Sequence, residues 1–184
     1  MGKDPIEAVY AFVERAYIRL QTGEVLSQCL EKEDSAPIQV LVEELVLAGP
    51  SGLDALREVL AEVGTRKNQV QEDQRQITSN MISKLESEGL SLGNSTISGL
   101  INLTLNDFRD LLEKQSIVDQ QTQLKYLHLL GDSWEMLDSL RNQLRLLEEI
   151  EVYLQDWLWG LIYQSTRQEW AEALTTRQKT KWPH

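Results

Sequence analysis

The sequence predicts an all-α protein: a long, coiled-coil-like helical hairpin or three-helix bundle with short N-terminal helices packed at one end. Three observations carry this. Two stretches keep apolar residues at alternating three- and four-residue spacing over about four to five heptads. The segments between them are punctuated by helix starts and stops of the Asp-Pro, Gly and Gly-Pro type. No segment reads as a strand.

The N-terminal segment, residues 1–50, opens with Asp4-Pro5-Ile6-Glu7, a helix start in which Asp4 caps and Pro5 suits the first turn. Ala8, Phe12, Ala16 and Leu20, with Val9, Val13 and Tyr17, form its apolar stripe. Gly23 suits a stop. A second short helix over 24–32 carries Val25, Leu26, Cys29 and Leu30, and residues 31–37 break it. Residues 37–47 are helical and end at Gly49-Pro50, and Ser51 with Asp54 opens the next helix.

Residues 51–176 form the long-helix bundle. Its first helix, 52–88, has one heptad position at Leu53, Leu60, Lys67, Gln74 and Met81 and the other at Leu56, Val63, Val70 and Ile77. Gly64 weakens it by about 1 kcal/mol relative to alanine without ending it. Residues 89–103, with Gly89, Gly93, Asn94, Ser95 and Gly99, read as a loop whose apolar residues partly pack down. Helix resumes at Thr104. Gly131 followed by Asp132-Ser133-Trp134-Glu135 reads as a break with a capping box. The last helix, 133–175, has a second ladder: Leu137, Leu144, Glu151 and Leu158 beside Leu140, Leu147, Leu154 and Leu161. Residues 177–184 form a basic, frayed tail ending in Trp182-Pro183-His184.

A tight reversal at Gly131 makes the first and third long segments parallel. Aligning Leu53 with Leu137 then sets the lone basic seam residue, Lys67, beside the lone acidic one, Glu151, and predicts a register pair. An unbroken helix through Gly131 instead carries the C-terminal half past the first long helix to pack on residues 5–48.

Composition narrows function. The net charge is −11, with 12 acidic and 5 basic residues in 1–64 against 17 and 13 in 65–184. That balance argues against direct nucleic-acid binding and against an anionic membrane surface. Met1–Tyr10 does not read as a signal peptide, and no run is long enough to span a membrane, so the expected location is cytoplasmic. The single cysteine, Cys29, reads as a small buried apolar residue.

No catalytic, metal or cofactor motif is present. The two histidines are His128, expected at a core edge, and His184, the last residue. Glu148, Glu149, Glu151 and Asp156 could suggest acid–base chemistry, but solvation of a helix face accounts for the first two. The chain is expected not to be an enzyme and to hold no cofactor.

The candidate site is the aromatic segment 152–163. Leu154, Leu158 and Leu161 belong to the seam, while Tyr153, Trp157, Trp159, Ile162 and Tyr163 spill onto flanking faces. A helix apolar all round is buried on several sides. Either residues 5–48 cover it, or it is a partner-binding or self-association face with Trp and Tyr anchors, where Gly160 admits a close helix. Trp182 is a further candidate anchor. The function expected is a non-catalytic helical subunit, adaptor or assembly factor with a protein partner, or a homodimer. The alternatives are an acidic regulator that occupies a basic surface of a nucleic-acid-binding protein and, third, a ligand-binding bundle.

Overall fold

A computed structural model describes residues 5–47, 52–91 and 101–181. Five helices have their bounds within these residues, and no strand occurs among them. The protein is all-α.

The first helix, α1, spans Pro5–Lys32 and passes through Gly23. The stop expected there is overridden by packing. Thr22, Leu26 and Cys29 are buried on one continuous face that crosses the glycine. Burial of that face outweighs the roughly 1 kcal/mol cost of a mid-helix glycine. The chain leaves α1 through Glu33, held at φ 51°, and the Asp34 amide donates to the Cys29 carbonyl at 3.1 Å. Asp34 Oδ1 then accepts the Ala36 amide at 3.0 Å and starts α2, Ala36–Leu47. This helix packs back on α1 and buries Ile38, Leu41 and Val42.

Helix α3 spans Gly52–Ser87. Its first residue must be small, because a Cβ on Gly52 would lie 2.6 Å from the Leu45 carbonyl oxygen. The ladder read from sequence is its inner face: Leu56, Val63, Val70, Gln74 and Met81 are buried. Gly89, at φ 83°, closes the helix. The Leu90 amide returns to the Leu85 carbonyl at 2.9 Å and Leu90 tucks inside. Most of the expected loop, residues 92–100, lies outside the described residues, as does Ser51.

Helix α4, Leu105–Lys114, starts on a capping box in which Thr104 and Asp107 satisfy each other's backbone amides. A turn with Ser116 at φ 63° separates it from α5, Gln120–Lys181. Asp119 starts α5 by accepting the Thr122 amide at 2.9 Å.

The break expected at Gly131 is therefore absent, and the chain breaks at 115–119 instead. Leu130, Trp134 and Leu137 continue one buried stripe across the glycine, so the tertiary contacts favour unbroken helix. The argument that paired Lys67 with Glu151 needed a reversal at Gly131 and loses its premise. Residues 177–181, expected to fray, are helical, and 182–184 lie outside the described residues.

The chain divides into two compact units, residues 1–65 with 146–184 and residues 66–145, so α3 and α5 contribute to both. The first unit has an aliphatic interior that includes Leu26, Val42, Leu56, Val59, Leu147 and Leu154. The second is built on Phe108, Leu112, Leu130, Trp134 and Leu137, with Phe108 and Trp134 tilted at 57° and 5.7 Å between ring centres. Arg141 holds the backbone just before α4. Nη2 donates to the carbonyls of Ile101 and Leu103 at 2.6 and 2.8 Å, and Nε reaches Ile101 at 3.1 Å.

Candidate protein-interaction surface

Within the unit made of 1–65 and 146–184, α2 and α5 meet around the aromatic segment. Val46 lines a shallow groove with Tyr153, Asp156, Trp157, Gly160 and Leu161. Tyr153 and Trp157, one turn apart, stack edge to face with ring centres 6.3 Å apart. Both are half-buried, as is Ile162.

The cover supplied by residues 5–47 stops there. Trp159 is 67 % exposed and Tyr163, the next turn on the same side, 69 %. Val152 is exposed as well. A Cβ placed on Gly160 would meet nothing within 4 Å, so no element of the described chain makes use of its small size. The five aromatic-segment candidates thus divide into three that pack partly inside and two that face solvent. Trp182 lies outside the described residues.

Sequence reasoning missed a second surface. The stripe Val9, Phe12, Val13, Tyr17 and Leu20 on α1, read as a helix face, turns outward, together with Ile6 and Tyr10. These seven residues are between 58 and 73 % exposed. At 100° per residue they cluster on the side of α1 opposite Ala11, Ile18, Thr22 and Cys29, which face inward. A groove lined by Glu14, Arg15, Ile18, Asp54, Arg57 and Glu58 runs where α1 adjoins the start of α3.

Other candidates carry less chemistry. His128, expected at a core edge, is exposed, because Tyr126 and Leu130 take the inward positions on either side of it. Cys29 is buried, and desolvation pushes its thiol above the ordinary range, away from the reactive thiolate. No group of three or more His, Cys, Asp or Glu able to hold a metal occurs among the described residues. The small space beside Phe108 and Trp134, which Thr78 also lines, measures about 10 Å³, the size of one water rather than of an organic ligand. No helix among the described residues is long and apolar enough to cross a membrane.

No family model, curated protein or solved structure matches this chain.

Proposed function

We propose that this chain is a non-catalytic interaction protein, a helical subunit or adaptor that presents apolar helix faces to a protein partner. One observation carries the reading. All three aromatics of residues 66–145, Phe108, Tyr126 and Trp134, are buried, whereas none of the described aromatic side chains of residues 1–65 and 146–184 is. Clustered, exposed Trp and Tyr are the usual anchors of protein interfaces, and large exposed apolar patches are uncommon on chains that act alone. Trp159 and Tyr163 are the anchors assigned on α5.

The test is co-purification from the source cell with wild type beside the Trp159→Ala/Tyr163→Ala variant, helix content being checked by circular dichroism. A stoichiometric protein retained by wild type and lost by the variant supports the reading. A partner that the folded variant keeps, or none at all, sinks the anchoring role.

The net charge of −11 supports a second reading, docking on a basic, nucleic-acid-binding surface of another protein. Salt separates the two. Charge-led capture collapses between about 0.05 and 0.5 M ionic strength, whereas an apolar contact survives it.

A further inference from the structure

Helix α1 carries its outward apolar residues in coiled-coil register. Ile6, Tyr10, Val13, Tyr17 and Leu20 follow one another at intervals of four, three, four and three residues, the a/d spacing of a seam that lies along a partner helix. All five are more than half exposed, and Val9 and Phe12 widen the stripe. At the usual size of such side chains the seven expose on the order of 1,000 Å². The largest apolar patch of an ordinary monomer is about 300–600 Å². A standard interface takes about 800 Å² from each partner. The stripe therefore has the area of one half of a stable dimer.

The order of residue sizes says what fits it. Both a positions are tyrosines, Tyr10 and Tyr17, and all three d positions are aliphatic, Ile6, Val13 and Leu20. In an antiparallel pair each a position lies opposite a d position. Large then meets small in the layers made by Tyr10, Val13, Tyr17 and Leu20, which is how facing side chains interdigitate without voids, and Ile6 falls at the end of the seam opposite the next a position, Glu24. Tyr10 lies beside Leu20 of the partner subunit and Tyr17 beside Val13 of the partner subunit, and the two-fold axis repeats both contacts. A parallel pair would stack tyrosine on tyrosine and leave the aliphatic layers thin.

We propose that α1 is a homodimerisation helix, whose outward seam pairs antiparallel with the same seam of a second copy. This deepens the interaction reading by naming an occupant, and it stands on α1 and not on Trp159 and Tyr163. The charges set the direction of the salt effect. Each copy is net −11, and Glu14 flanks the seam, so two copies repel and added salt tightens their association. A basic partner on the same stripe would behave in the opposite way.

The experiment is sedimentation equilibrium over a range of concentrations and at low and high salt. The chains are wild type, Tyr10→Glu/Tyr17→Glu and Trp159→Ala/Tyr163→Ala, with circular dichroism on each. Wild type is expected at twice the chain mass and more tightly paired in high salt. The α1 variant should keep its helix content and dimerise at least about a hundredfold more weakly. The α5 variant should dimerise as wild type does, even where it has lost another partner. Mixing Tyr10→Cys with Leu20→Cys chains should yield the mixed disulfide in preference to either self-pair. A wild type that stays monomeric overturns the proposal. So does a dimer that survives the α1 charges, or one that salt dissolves. Self-paired Tyr10→Cys overturns the antiparallel orientation.

Discussion

Residues 66–145 and the unit formed by 1–65 with 146–184 share one all-helical vocabulary and use their large apolar residues in opposite ways. The first encloses Phe108, Tyr126 and Trp134 with leucines and closes the ends of its helices with polar side chains. The second builds its interior from Leu, Ile, Val and Ala and leaves Tyr10, Phe12, Tyr17, Trp159 and Tyr163 in the open. Aromatics carry the largest burial energy per residue. A unit that holds them in its interior gains that energy on folding, and one that leaves them outside does not. The comparison separates a unit with an aromatic interior from one whose aromatics are exposed or half-buried.

Mutations can break or sharpen this contrast. The largest effect belongs to Phe108→Ala. Phe108 is 1 % exposed and packs on Trp134, and its removal should cost about 3–5 kcal/mol in denaturant unfolding. A loss below about 1 kcal/mol would show that this core does not hold the unit together. Next comes Arg141→Ala. It strips the Ile101 and Leu103 carbonyls of a charged donor and should cost about 1.5–3 kcal/mol. Hydrogen exchange should show the loss in residues 101–104 first.

Thr104→Ala removes the cap of α4 and should cost about 1 kcal/mol. Its partner gives this cap a pH signature. The Thr104 hydroxyl, and then the Thr104 amide, donate to Asp107 and hold its carboxyl below the usual aspartate range. A depressed folded pKa means that the contribution is complete above the unfolded value, and it is lost as pH falls through the folded one. Wild type should therefore lose the cap only in acid below the ordinary aspartate range, and Thr104→Ala should flatten that part of the stability profile. The smallest effect closes the series. Trp159→Ala and Tyr163→Ala should each change unfolding free energy by no more than about 0.5 kcal/mol. A cost of about 2 kcal/mol from either would return that residue to the interior.

Much of the fold was legible in the sequence. The ladder of α3 lies inside because periodicity is a local property of the chain, and residues at heptad spacing share a face whatever the helix packs against. The start of α4 near Thr104 was legible from its apolar spacing, and the Thr104–Asp107 cap that fixes it, three residues apart, was overlooked. Gly23 and Gly131 misled, because a glycine weakens a helix by about 1 kcal/mol and a continuous buried stripe on either side outweighs that. The break at 115–119 carries no glycine or proline and gave little local signal.

The site was legible only in part. Tyr153, Trp157, Trp159, Ile162 and Tyr163 were visible as an excess of apolar residues over what one seam needs. Which of them face solvent could not be read, because the cover comes from Val46, more than a hundred residues away. The stripe of α1 is the sharper case. A helix face that docks on its own core and one that docks on another chain have the same spacing and the same composition.

What the sequence by itself determined is therefore helix, the apolar periodicity along each helix, and charge, all of which depend on residues close to one another along the chain. What only the tertiary structure decided is which apolar faces meet and which stay open. Burial is a property of pairs of faces brought together by the whole chain, and no single face records the identity of its partner.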